Sequence, residues 1–166
     1  MAKKKVTRIK TSSEKPTTKA TPADAQILLH LFDQRREEIM RKARTYIAFE
    51  FQPHTADDFM KTAMAMGTQE QTYFRMVFSY WEQAAALSVH GAVHSDLFDE
   101  FAGEMYFLYA KFKDFVPAFR RAMNSPTAFS NIEKVVNRTA AGRERIERTQ
   151  KMIAERFAPR AAKTAG

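Results

Sequence analysis

Between residues 21 and 157 the apolar positions recur every three or four residues, the spacing of one face of an α-helix. The first stripe is Ile27, Leu28, Leu31, Phe32, Ile39, Met40, Ala43, Tyr46 and Ile47. Thr21-Pro22-Ala23-Asp24 opens it with an N-cap hydroxyl, a proline at the first helical position and an acid facing the positive end of the dipole. Pro53 ends it, because proline disfavours helical geometry in the preceding residue. A short second helix is expected from Thr55, whose spacing to Asp58 fits a capping box, to Gly67, a natural left-handed C-cap. A third starts at Thr68, carries Phe74, Phe78, Trp81, Ala85 and Ser88, and stops at Gly91.

The fourth stripe has the most regular spacing. From a Ser95 cap, Phe98, Phe101, Met105, Leu108, Phe112, Phe115 and Phe119 alternate by three and four, a heptad seam filled with rings. Pro117 lies inside it and predicts a kink or a tightened last turn. Ser130-Asn-Ile-Glu133 predicts a further start, and Gly142 is expected to divide the last helical stretch, which carries Phe129, Ile132, Val136, Ile146, Ile153 and Phe157. No strand alternation interrupts these patterns. The expected fold is all-α, a bundle of five or six helices around an aromatic hairpin of the Phe74–His90 and Ser95–Ala122 helices.

Charge adds what the apolar pattern leaves out. Residues 1–20 hold Lys3, Lys4, Lys5, Arg8, Lys10, Lys15 and Lys19 against Glu14 alone. Residues 21–125 carry 11 bases and 14 acids, and the stretch 126–166 is basic again, so the overall +8 is segregated to the two ends. Without apolar periodicity the stretch 1–20 cannot bury enough surface to order, and a disordered basic arm is expected at 1–20, a helical domain at 21–157 and a flexible tail at 158–166. Such an arm spans about 25 Å as a free chain. It would contact an acidic polymer, in the first place DNA or RNA, without sequence preference, or alternatively an anionic membrane surface. It carries no aromatic residue on which a base could stack.

The absence of cysteine excludes disulfides, thiolate metal sites and a thiol nucleophile, and fits a reducing cytoplasm. No apolar run approaches the roughly 20 residues of a membrane span, and the basic start has no apolar stretch after it to make a secretory signal.

The stretch from Tyr73 to Val136 combines an aromatic-then-acid helix (Phe78, Trp81, Glu82), a Gly-Ala-Val-His-Ser-Asp turn at 91–96 and an aromatic helix ending Phe115-Val-Pro-Ala-Phe-Arg120. With the Leu31-Phe-Asp-Gln-Arg-Arg36 segment, it resembles a family of uncharacterised bacterial all-helical proteins, some of which carry a membrane anchor. The resemblance implies a fold and supplies no activity, cofactor or functional residue.

Candidate chemistry is sparse. His90 and His94 are four residues apart, but Gly91 falls between them at an expected helix end, so a solvated hairpin turn accounts for them and no metal or cofactor is expected. His30 sits beside Leu28, Leu31 and Phe32 as a boundary residue. Glu82 follows Trp81 on an apolar helix, where a half-buried carboxylate suits acid–base work. Arg35 interrupts the first stripe between Phe32 and Ile39, and an Arg35–Glu82 bridge between helices is the expected structural use of both. A further face, Ile146, Ile153 and Phe157 flanked by Arg143, is available for packing on the bundle, for a partner helix or for self-association. These features point to a non-enzymatic interaction or scaffold protein. The competing reading is an enzyme or ligand-binding protein using Glu82, His90 and His94.

Overall fold

The computed structural model describes residues 19–157, so the expected arm, apart from Lys19 and Ala20, and the expected tail lie outside the described residues. Those residues form nine α-helices and no strand. They are α1 (Pro22–Gln34), α2 (Glu38–Thr45), α3 (Ala56–Met64), α4 (Gln69–Val89), α5 (Ser95–Phe101), α6 (Gly103–Phe112), α7 (Val116–Ala122), α8 (Ser130–Asn137) and α9 (Ala140–Phe157). The all-α class stands; the larger number of helices comes from breaks inside stripes that look continuous in one dimension.

Local signals decide several ends. Thr21 and Asp24 form a reciprocal capping box on α1, and Thr55 with Asp58 does the same on α3. Thr68 Oγ1 accepts from Gln71 N at the start of α4. Gly67 and Gly91 adopt φ of +85° and +71°, which an L side chain rarely tolerates, and they close the ends of α3 and α4.

The breaks have non-local causes. The first stripe turns at residues 35–37, where Arg44 Nη1 takes the Arg35 carbonyl at 3.2 Å. It then widens into a π-turn at Tyr46–Glu50, closed by Phe51 N–H donating to the Tyr46 carbonyl at 2.8 Å. The turn at 35–37 moves Phe32 and Ile39 out of the expected core: they are 47% and 55% exposed. Pro117 has no N–H to continue the ladder, so Lys113–Phe115 tightens into a 3₁₀ turn and α7 restarts with the proline at its head. Gly142 does not divide the last stretch. The break falls at Arg138-Thr139, and Thr139 Oγ1 accepts from Gly142 N at 3.0 Å inside the first turn of α9.

Helix α4 is buried on all but one narrow face, along Thr72, Arg75, Ser79 and Gln83, with Phe74, Val77, Phe78, Tyr80, Trp81, Ala84 and Ala85 enclosed. It packs against α2, α3, α5 and α8, while α6 lies along α9. The expected aromatic seam forms: Phe78 meets Phe112 with centroids 5.5 Å apart, Phe74 meets Phe119 at 5.9 Å and Trp81 meets Phe101 at 6.0 Å. Its hub, however, is Phe59 of the short α3. That ring is fully buried and lies 5.3 to 6.2 Å from Phe51, Phe74, Phe112, Phe115 and Phe119. Offset and edge-on ring pairs at these distances add about 1 kcal/mol each beyond their buried area.

The α8–α9 corner depends on a missing side chain. A Cβ on Gly142 would stand 2.5 Å from the Val136 carbonyl oxygen and 3.4 Å from the Tyr106 hydroxyl. Gly142→Ala therefore destabilises the protein by roughly 2 kcal/mol despite alanine's better helix propensity, because backbone must move. Gly103→Ala meets only the terminal Nη2 of the Arg145 side chain at 3.3 Å; that side-chain end, not backbone, has to give by a few tenths of an ångström, so the variant stays within about 1 kcal/mol of the parent. Chemical denaturation of the two variants separates these outcomes.

Candidate functional site

Four carboxylates do most of the polar work between helices, and each is committed to cations, helix amides or hydroxyls. Glu104 on α6 accepts from Arg35 Nη2 at 2.7 Å and from Arg44 Nε at 2.8 and 2.9 Å. The Arg35 and Glu104 side chains are only 13% and 14% exposed. The Arg35 guanidinium lies 5.0 Å from the Trp81 ring centroid and 5.6 Å from that of Phe101, and its Nε has no hydrogen-bond partner. Tyr80 donates its hydroxyl to the Leu31 carbonyl beside this cluster, and burial raises its phenol well above the ordinary value.

Asp99 accepts from Arg138 Nη2 at 2.6 Å and from the Tyr106 hydroxyl at 3.1 Å, while Arg138 Nη1 donates to Ser88. Glu133 accepts from Arg120 Nη2 at 2.8 Å and from the Tyr109 hydroxyl at 3.2 Å. Burial first, and the adjacent carboxylate second, pushes Tyr106 and Tyr109 up to about 12.

Glu82 fills a role its sequence position does not announce. Its carboxylate accepts from the backbone amides of Asn131 and Ile132 at 2.9 and 3.2 Å and from Asn131 Nδ2 at 2.9 Å, capping α8 from across the bundle. The expected Arg35–Glu82 bridge is therefore not formed. Arg35 faces α6, where Glu104 supplies the carboxylate, and Glu82 faces the start of α8, whose own Ser130 does not cap it. Phe129 precedes that helix at φ +59°, a left-handed conformation unusual for a bulky residue, with its ring packed on Phe78 and Phe119.

The histidines do not converge with Glu82. His90 is exposed at the end of α4, eight residues and about 12 Å along the axis from Glu82. His94 opens α5, its backbone amide donating to Asp24 Oδ1 at 2.7 Å and its Nδ1 lying 3.5 Å from Leu97 N. His30 is exposed beside Gln34. Among the described residues no three His, Asp or Glu side chains gather as a metal site would need.

The C-terminal face packs intramolecularly. Ile146 is 5% exposed, and Ile153 packs against the core. Phe157 is half-buried, 5.8 Å from Lys111 Nζ, and Arg143 is exposed with Nη1 on the Asn137 carbonyl.

Two surface grooves each enclose about 520 Å³. One lies over Phe74, Phe78, Phe119 and Phe129, rimmed by Arg75, Ser79 and Glu82. The other runs between α2 with its π-turn, α6 and the end of α9, lined by Arg41, Arg44, Thr45, Ala48, Phe49, Glu104, Phe107 and Arg156. Its wall is held by Lys111, whose Nζ donates to the Ile47 and Ala48 carbonyls at 2.9 and 3.0 Å. Those carbonyls sit in the widened π-turn, and burial lowers the Lys111 amine to about 8. Sequence reasoning missed the second groove because nothing local marks Glu104 or Lys111 as partners of residues some 60 positions away.

Two outcomes follow from this electrostatic arrangement. Glu104→Gln leaves two enclosed guanidinium groups without their counter-charge and lowers unfolding free energy by roughly 3 kcal/mol in urea titrations. In alkali, the fold binds fewer protons at Lys111 than the unfolded chain between about 8 and its ordinary 10.5, so stability rises with pH there. Tyr106 and Tyr109 keep their protons from the ordinary 10.0 to about 12, so stability falls through that higher window. A pH series of denaturation midpoints shows the rise, which Lys111→Met abolishes, and then the fall.

No helix among the described residues is long and apolar enough to cross a membrane. No curated protein and no solved structure matches the chain. Residues 20–139, which include every helix from α1 to α8, match the family model described as a domain of unknown function, DUF4760, and the chain belongs to that family.

Proposed function

We propose that the protein is a non-enzymatic interaction or scaffold protein of the cytoplasm, and that residues 1–20 hold it to an acidic polymer, DNA or RNA. The observation that carries this reading is the segregation of charge: seven cations against one carboxylate in the segment 1–20, beside a segment from 21 to 125 in which acids outnumber bases. Supporting it, the interhelical carboxylates Glu82, Asp99, Glu104 and Glu133 are consumed within the fold, leaving none of them as a base or nucleophile aimed at a substrate. Recognition of this kind reads phosphate density, not base sequence.

The test is salt. Binding of the full chain to a duplex has a log–log salt slope near −5, about six released counterions. Replacing Lys3, Lys4, Lys5, Arg8, Lys10, Lys15 and Lys19 by Gln in the full chain removes most of that slope without changing thermal stability. A slope unchanged by the seven substitutions would refute the reading.

A further inference from the structure

The groove between α2, α6 and the end of α9 combines two things that the N-terminal segment 1–20 does not have together, a cationic lining and an open aromatic ring. Arg41, Arg44 and Arg156 line it, with Glu104 as the lone carboxylate. Glu104 is already shared between Arg44 and Arg35, so four guanidinium groups answer to one negative charge. Arg44 spends Nε on Glu104 and Nη1 on the Arg35 carbonyl, which fixes the plane of its guanidinium and leaves Nη2 for a ligand. Arg41 and Arg156 are exposed and make no ion pair among the described residues. Positive charge therefore exceeds negative charge along the groove lining, although Arg41 also feels Glu38 on its other side.

The floor is apolar. Ala48, Phe49 and Phe107 supply it, and Phe49 is 58% exposed, an unusual position for a phenylalanine next to three arginines. The ring is displayed by the π-turn, which Lys111 clamps through the Ile47 and Ala48 carbonyls just ahead of it in the same segment. A rigid, solvent-facing ring flanked by guanidinium groups is the arrangement that holds an unstacked base with its neighbouring phosphates. A duplex presents phosphates but keeps its bases stacked, so it can use the arginines and not the ring.

We infer that this groove is a binding site for single-stranded nucleic acid, with one base stacked on Phe49 and flanking phosphates on Arg41, Arg44 and Arg156. The inference rests on the proposed attachment to nucleic acid and deepens it: the basic N-terminal segment supplies sequence-independent attraction, and the groove supplies the preference for unpaired strands.

The experiment measures fluorescence anisotropy of a labelled oligothymidylate and oligouridylate of about 20 nucleotides, and of a duplex of equal length, with the full chain across a salt series. The expected result is tighter binding of the single strands. Phe49→Ala weakens single-strand binding roughly ten-fold and leaves duplex binding unchanged. Phe49→Tyr retains the preference. The double variant Arg41→Gln, Arg156→Gln flattens the single-strand salt slope by about 1.4, at about 0.7 per phosphate. All three variants change solvent-facing residues, and unaltered circular-dichroism melting shows that the fold persists.

Single-strand binding unchanged in the groove variants but lost when the seven basic residues of 1–20 are neutralised would overturn the groove assignment and leave the attachment standing. Failure of the full chain to bind any oligonucleotide would remove the attachment and the groove with it. Uptake of laurate that Phe49→Ala abolishes, with single-strand binding untouched, would identify the groove as a site for an amphipathic anion and also overturn the assignment.

Discussion

The Glu104 carboxylate is the constraint around which the first half of the bundle is arranged. It sits on α6 and binds Arg35, in the turn after α1, and Arg44, on α2, so one side chain ties three segments that have little else in common. Two guanidinium groups enclosed with a single carboxylate are tolerable only because Trp81 and Phe101 offer ring faces to Arg35 and because Arg44 also satisfies the Arg35 carbonyl. The break between α1 and α2 follows from this arrangement: the chain turns where its carbonyl is taken by Arg44. That turn in turn fixes which apolar residues reach the core, and it leaves Phe32 and Ile39 on the surface.

Features governed by neighbours in sequence were legible before the structure. The two threonine–aspartate capping boxes and the glycines at 67 and 91 stand where local spacing puts them, and the rings from Phe98 to Phe119 gather as the expected seam, although on three helices and a 3₁₀ turn instead of one helix. What was not legible depends on partners far away. The same short-range logic assigned the α8 start to Ser130 and Glu133, whereas the actual cap comes from Glu82, 49 residues earlier. Arg35 reads as an inward-pointing cation, but periodicity says that a residue faces inward and not which carboxylate awaits it, here Glu104 on α6 and not Glu82 on α4. Of the candidate site, the basic segment 1–20 is visible in composition, while the groove exists only once residues 41–49, 104–107 and 156 are brought together.

The polar economy of the bundle separates structural from available charge. Asp99, Glu104 and Glu133 each bind one or two arginines, and the tyrosines beside Asp99 and Glu133 donate to the same carboxylates. Such closed networks specify one packing and are poor places to look for chemistry. Lys111 belongs to the same class, an amine drawn inward to satisfy carbonyls that a π-turn leaves open. Exposed charges of both signs remain on the described surface, and in the groove the arginines outnumber the single carboxylate.

The cross-bundle cap on α8 also makes one part of the bundle depend on another. A helix of eight residues with a left-handed phenylalanine before it and no cap of its own cannot nucleate alone. Two of its first amides find their acceptor in Glu82, which α4 presents from across the bundle. The C-terminal third of the bundle is thus conditional on the middle third, since α8 packs on α4 and α9 in turn packs on α6 and α8.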